Sequence, residues 1–148
     1  MKFPYKVTTI SVLQTRKVGR ELGKAMNTGG VIGLVGDLGA GKTVMADGIF
    51  KGGGLSREIV VTSPTFTIIN MYHGPREMVH IDLYRLKSAD EAIAVGVGDF
   101  LWRNSGALVV VEWFDKFEEL WPAEFVLCKI DIQGKKEREI FIDRMIRQ

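Results

Sequence analysis

The chain has few of the features that direct a protein to a membrane, an oxidising compartment or a polyanion. Its apolar runs, such as residues 107–111, are far shorter than the ~20 residues that a membrane span needs. A single cysteine, Cys128, excludes an internal disulfide and fits a reducing compartment. The net charge of +2, from 20 basic and 18 acidic residues, is too small to predict nucleic-acid binding by electrostatics alone. The first residues have no apolar stretch or cleavage site typical of a signal peptide, so we expect a cytoplasmic protein with no membrane association.

The chain is long and apolar enough for one hydrophobic core. It has 148 residues, of which 46% are hydrophobic, and no internal repeat, low-complexity tract or long linker. We therefore predict a single domain over residues 1–148. Cys128 alternates with Val126, Ile130 and Ile132 along one strand face, so we predict a buried small hydrophobe and not a nucleophile.

Apolar periodicity and turn residues predict strands that alternate with helices. Ser88 is predicted to cap a helix, with Glu91 completing a capping box. Strands interleaved with helices and followed by a hairpin are typical of an α/β domain with mixed sheet edges. The predicted helices are 15–26, 42–51, one opening at Ser88 and a short one at 115–122; the predicted strands are 29–36, 65–72, 78–86, 107–113 and a hairpin of 124–133 with 138–146.

The stretch GDLGAGKT, residues 36–43, fits G-x-x-x-x-G-K-[ST] between a predicted buried strand and a predicted helix. Its glycines allow successive backbone N–H groups to turn inward around a phosphate, at the positive end of the helix. Lys42 would reach the β- and γ-phosphate oxygens, and the Thr43 hydroxyl would be a Mg²⁺ ligand. A plain glycine-rich turn is the alternative. The residues of the predicted nucleotide loop are Asp37, Leu38, Gly39, Ala40, Gly41, Lys42 and Thr43.

Acidic residues at two predicted strand ends are candidates for work on the metal. Glu112 ends the apolar strand LVVVE, where a bound Mg²⁺ would offset the cost of burying a carboxylate. A carboxylate that emerges into solvent is the alternative. In MVHIDLYRL, His80 and Asp82 share a face, opposite Val79 and Ile81. Asp82 is interpreted as an outer ligand of the metal or as the group that orients the attacking water, and His80 as a structural hydrogen-bond partner.

The stretch TSPTFT, residues 62–67, follows the predicted phosphate loop and helix. Pro64 favours an extended conformation at Ser63, which presents the hydroxyls of Ser63 and Thr65 on a stiff segment. Residue types alone favour an ordinary loop that enters a strand.

Four blocks in order, GDLGAGKT, TSPTFT, HIDLYRL and VVVEW, resemble the TsaE family. This family, also called YjeE/YdiB, comprises bacterial P-loop ATPases of tRNA threonylcarbamoyladenosine synthesis. The resemblance runs from about the first helix to Trp113, and its last three blocks are far more specific than the first. It implies a P-loop NTPase fold with a mainly parallel central sheet and helices on both faces, to which the predicted C-terminal antiparallel hairpin is added.

The resemblance also implies a biochemical role. TsaE-like proteins bind ATP and Mg²⁺ and work with the TsaD transferase and the TsaB scaffold, which modify the adenosine next to the tRNA anticodon. Their ATP hydrolysis, weak without partners, would reset the complex, and contact with tRNA would come through the complex. A small P-loop metabolite kinase remains an alternative. Such a kinase would need an arginine-rich lid, and residues 85–103 contain no arginine cluster. A non-catalytic nucleotide-dependent adaptor is the second alternative, and the absence of N-K-x-D disfavours a GTPase.

Site roles follow from the resemblance position by position. Thr43 and Glu112 would hold Mg²⁺, and Lys42 and Asp82 would act in catalysis. Thr65 would be the switch hydroxyl that senses the γ-phosphate. Trp113 would lie near the nucleotide or simply pack, and the segment before the first helix, around Val12, would touch the base. The basic residues of the hairpin are interpreted as solvated; they are Lys135, Lys136, Arg138, Arg144 and Arg147.

Overall fold

The computed structural model describes residues 1–103 and 105–147, so Asn104 and Gln148 of the predicted domain lie outside the description. Its strands form one seven-stranded sheet in the order β1-β7-β6-β2-β5-β4-β3. The strands are β1 Tyr5–Thr9, β2 Gly30–Val35, β3 Ile69–His73, β4 Glu77–Asp82, β5 Leu108–Glu112, β6 Glu124–Ile132 and β7 Arg138–Ile146. The helices are α1 Val12–Ala25, α2 Lys42–Gly52, α3 Ala89–Ala94 and α4 Val97–Leu101. Among the described residues, no helix is both long and apolar enough to cross a bilayer.

The centre of the sheet is parallel and its edges are antiparallel. Strands β6, β2, β5 and β4 run in one direction, whereas β3 pairs antiparallel with β4, and β7 with both β6 and β1. The central strands are nearly continuous apolar runs because both of their faces are covered. This arrangement confirms the predicted fold class, including the C-terminal hairpin. The carboxyl ends of the parallel strands all lie at the same end of the sheet.

Alternation along the central strands divides the core into two layers. On β5, Leu108 and Val110 face α1 and α2, while Val109 and Val111 face the layer that contains α3 and α4. Helices α1 and α2 approach closely because glycines face each other: a Cβ on Gly23 would lie 2.0 Å from the Ile49 carbonyl oxygen. The predicted burial of Cys128 is confirmed, since its side chain is fully buried.

Capping side chains set several boundaries differently from the prediction. Helix α1 begins three residues earlier than predicted, at Val12, because the Ser11 hydroxyl accepts a hydrogen bond from the Gln14 N–H. Strand β4 ends at Asp82 and not at residue 86, because the Asp82 carboxylate accepts the Tyr84 N–H and turns the chain. The predicted Ser88 cap is confirmed by its bond from the Glu91 N–H.

Two predictions of secondary structure were wrong, and one strand was not predicted. The strand predicted for 65–72 begins only at Ile69, after Ile68 adopts a left-handed φ of 69°. The helix predicted for 115–122 is two short 3-10 turns, Phe114–Lys116 and Glu118–Leu120, broken by extended backbone at Phe117. Strand β1 was missed altogether.

Candidate nucleotide site

The GDLGAGKT loop joins the carboxyl end of β2 to the first residue of α2. Gly39 and Gly41 adopt φ values of 82° and 107°, a left-handed conformation that other residues rarely take. Gly41 is also the N-cap of α2. The free N–H groups of the first turn of α2 therefore follow the glycines directly. The loop therefore has the backbone form that anion binding requires.

Lys42 is held within the loop. Its side chain is 5% exposed, and Nζ donates to the carbonyl oxygens of Gly36 at 2.6 Å and Asp37 at 2.8 Å. The same Nζ lies 4.0 Å from the centroid of the Trp113 ring, a cation–π contact. Burial lowers the pKa of Lys42, and the negative charge of Glu112 is the strongest opposing influence. A phosphate in the loop would offer this ammonium the counter-charge that its carbonyl partners lack.

Thr43 and Glu112 come together because β2 and β5 are parallel neighbours. The Thr43 hydroxyl lies 3.2 Å from Oε1 and 3.3 Å from Oε2 of Glu112, whose side chain is 3% exposed. One hydroxyl and one carboxylate fit Mg²⁺, which prefers hard oxygen ligands, keeps several waters and shares them with substrate phosphates. No cluster of three or more His, Cys, Asp or Glu that could hold a metal occurs in residues 1–103 and 105–147.

Asp82 binds the TSPTFT loop. Strands β4 and β5 place it beside Glu112 in register. Its Oδ2 accepts the hydroxyls of Ser63 at 2.5 Å and Thr65 at 3.0 Å, and its Oδ1 accepts the Tyr84 N–H at 2.8 Å. Thr65, the predicted switch hydroxyl, is therefore in direct contact with Asp82, a contact that was not predicted, and in this state the two hydroxyls occupy Oδ2.

A cavity of about 350 Å³ lies on the outer side of the loop. Val12 borders it as the first residue of α1, not from a segment before the helix as predicted. The side chains that line it are apolar toward the helices and basic toward the hairpin; they include Val12, Thr15, Val44, Lys135, Lys136 and Arg138. A larger cavity, about 660 Å³, lies near Gly30 and Trp102, at the end of the sheet where β2 begins and away from the loop.

Arg138 is a contributor that the sequence interpretation missed. Its guanidinium donates to the carbonyl oxygens of Ala40 at 3.0 Å and Gly39 at 3.2 Å, so the hairpin holds the phosphate loop from outside. Interpreting this arginine as solvated was wrong. The contact joins residues 98 positions apart, and no local pattern in the sequence signals it.

His80 makes the kind of hydrogen bond that was predicted for it, with a partner that the sequence did not indicate. Its Nε2 lies 2.6 Å from Oε2 of Glu112. The expected shared face with Asp82 is present, but that face packs under α2, where His80 is fully buried against Phe50.

A glycine loop of this form, at the carboxyl end of a parallel sheet and followed by Lys-Thr and a helix, defines the class of P-loop NTPases. Residues 9–140 match the family described as "Threonylcarbamoyl adenosine biosynthesis protein TsaE". The chain belongs to the TsaE family and hence to tRNA threonylcarbamoyladenosine biosynthesis, which confirms the resemblance seen in the four blocks.

Individual relatives agree with the family match. The chain is 32% identical to the TsaE protein of Treponema pallidum over 89% of its own length and 95% of the relative's. It is 35% identical to TsaE of Bacillus subtilis over 91% of its length and 82% of the relative's. Among solved structures, it resembles the crystal structure of Bacillus subtilis YdiB with a TM-score of 0.73 and 32% identity, covering 97% of this chain and 87% of that one.

Proposed function

We propose that the protein is a Mg²⁺-dependent ATPase that works with TsaB and TsaD homologues and resets their complex between rounds of tRNA modification. The convergence of Lys42, Thr43 and Glu112 behind a left-handed glycine loop is the observation that carries the proposal. The family relationship supplies the pathway. A cytoplasmic location, where tRNA is modified, belongs to the same proposal.

Each part of the site would bind a different part of Mg²⁺-ATP. The N–H groups of the loop and of the start of α2 bind the phosphates, and Lys42 leaves its two carbonyl partners for the β/γ oxygens. Thr43 and Glu112 would hold Mg²⁺, which neutralises the charge that develops on the phosphates. The ribose and base would lie in the cavity beside Val12, between α1 and the hairpin.

The contacts of Asp82 support a low turnover without partners. A carboxylate that must orient water or a metal-bound ligand needs free lone pairs, and here Ser63 and Thr65 occupy Oδ2. A γ-phosphate that attracts the Thr65 hydroxyl would remove one of these two bonds, and a partner that moves the loop would remove the bond from Ser63. This proposal gives Thr65 its switch role and brings the enzyme close to the adaptor alternative, a nucleotide-dependent switch that barely turns over.

The test is reconstitution with purified TsaB, TsaD, tRNA and a threonylcarbamoyl-adenylate as the donor of the transferred group. Pull-down should show association that changes between ATP, ADP and no nucleotide. Product formation beyond one equivalent per TsaD should require ATP, and the variant Lys42→Ala should support no more than the first round. No association in any nucleotide state, or repeated rounds with Lys42→Ala, would contradict the proposal.

A further inference from the structure

His80 and Glu112 form a buried pair between neighbouring parallel strands. The His80 side chain is 0% exposed and that of Glu112 is 3% exposed, and Nε2 lies 2.6 Å from Oε2. Among residues 1–103 and 105–147, the other ring nitrogen of His80, Nδ1, has no hydrogen-bond partner. Its ring is edge-on to Phe50, with centroids 5.5 Å apart, so this part of the ring borders the apolar core. Within the part of the chain that the structure describes, Glu112 is thus the one polar partner of the imidazole.

This geometry determines where the imidazole proton lies. Two lone pairs facing each other at 2.6 Å would repel, so a proton must lie between Nε2 and Oε2. A proton on Nδ1 would leave a buried N–H without an acceptor, which costs about 1–3 kcal/mol. The neutral ring with its proton on Nε2 avoids both penalties. In that form His80 donates a charge-assisted hydrogen bond to Glu112.

We propose that His80 is a positioning residue that fixes the Glu112 carboxylate for Mg²⁺, a role that rests on the proposed function. The imidazole occupies Oε2, whereas Oε1 has only the Thr43 hydroxyl as its hydrogen-bond partner among the described residues. Oε1 is therefore the oxygen of Glu112 that would be available to hold Mg²⁺, together with the Thr43 hydroxyl. Mg²⁺ demands near-octahedral geometry, so a carboxylate free to rotate at the end of its strand would bind it less well.

Two amides at position 80 separate the hydrogen bond from the packing. The side-chain nitrogen of glutamine can occupy the place of Nε2, whereas that of asparagine corresponds to Nδ1 and cannot reach Glu112. His80→Gln should therefore preserve the positioning and His80→Asn should lose it, although both bury an amide. Phe50→Leu is the packing control, because it disturbs the neighbour of the ring and leaves the pair intact.

The measurement is a Mg²⁺ titration at a fixed concentration of a non-hydrolysable ATP analogue, beside analogue affinity without Mg²⁺. His80→Asn should weaken the apparent Mg²⁺ affinity about 10–100-fold, the usual effect of losing an outer partner of a ligand. Its metal-free nucleotide affinity should stay at the wild-type value. His80→Gln should keep most of the Mg²⁺ affinity. Phe50→Leu should lower the melting temperature and leave the Mg²⁺ affinity unchanged.

Several results would overturn the inference. Equal Mg²⁺ affinity in wild-type protein and folded His80→Asn would do so, as would equal losses in the glutamine and asparagine variants. Should His80→Asn fail to fold, nitrogen NMR of the wild-type ring in the free protein decides: a proton on Nε2 alone supports the inference, and one on Nδ1 refutes it. Wild-type protein that binds nucleotide without any dependence on Mg²⁺ would instead refute the proposed function, and this inference with it.

Discussion

Replacing each of the two strand-end acids by its amide should produce two different defects. Glu112→Gln removes a charged oxygen from the proposed Mg²⁺ shell and weakens the bond from His80. We expect Mg²⁺-dependent nucleotide affinity to fall at least about tenfold, together with turnover. Asp82→Asn should leave nucleotide affinity nearly intact and lower turnover about 10²-fold, because its interaction strengthens only in the transition state.

The stability cost of Asp82→Asn can be worked from its contacts. Asparagine keeps an oxygen for the Tyr84 N–H but exchanges the charged acceptor of two hydroxyls for a neutral amide. Bonds to charged groups contribute about 1.5–3 kcal/mol and neutral ones about 0.5–1.5, so the two exchanges cost about 2 kcal/mol together. At about 2–4 °C per kcal/mol for a chain of this size, the melting temperature should fall by about 4–8 °C.

The assays are analogue binding with and without Mg²⁺, ATPase rates with TsaB and TsaD, and thermal unfolding. Ser63→Ala is the matched control, because it removes one hydroxyl from Asp82 and leaves the carboxylate itself. If both amides lose Mg²⁺-dependent affinity equally, the two acids share the metal shell. If neither changes turnover, the catalytic acids lie elsewhere and the reasoning from strand ends is refuted.

Three further predictions concern packing, base choice and the thiol. Gly23→Ala should lower the free energy of unfolding by at least about 3 kcal/mol in urea titrations, because its Cβ would lie 2.0 Å from the Ile49 carbonyl oxygen. Gly134→Ala, whose Cβ would meet nothing closer than 3.8 Å, is the control that should change little, and equal stability of the two variants would contradict the helix contact. Lacking N-K-x-D, the protein should bind ATP in preference to GTP in competition experiments, and a GTP preference would oppose the ATPase proposal. Burial raises the pKa of Cys128 to about 12, so the thiol stays protonated at pH 8 and should react with a disulfide reagent only upon unfolding; rapid labelling of the native protein would contradict this.

The parts of the fold and site that could be predicted are those with a local physical cause. The phosphate loop is visible because glycines, a lysine and a hydroxyl lie together between an apolar strand and a helix. Glu112 could be predicted because a carboxylate at the end of a buried strand needs a partner. Parallel pairing then brings these separate stretches to one edge of the sheet.

The parts that escaped prediction depend on tertiary contacts. Strand β1 has only five residues, too few for the alternation of Tyr5, Val7 and Thr9 with polar residues to predict a strand by itself; pairing with β7 makes it a strand. The segment after Trp113 has a helix-like composition. However, the rings of Phe114 and Trp121 stack with their centroids 5.2 Å apart, and the backbone between them forms two 3-10 turns. Arg138 reaches the phosphate loop only because the hairpin folds back beside it.

ATP hydrolysis by wild-type protein and by Lys42→Ala, with and without Mg²⁺ and with TsaB and TsaD present, tests the proposed activity most directly. Lys42 lies in the loop and its hydrogen bonds go to loop carbonyls, so its removal should leave the far-ultraviolet circular dichroism unchanged. We predict Mg²⁺-dependent turnover that the partners stimulate in the wild type and that is absent from the variant. Hydrolysis at the wild-type rate by folded Lys42→Ala, or turnover that does not depend on Mg²⁺, would contradict the assignment of this loop as the catalytic site.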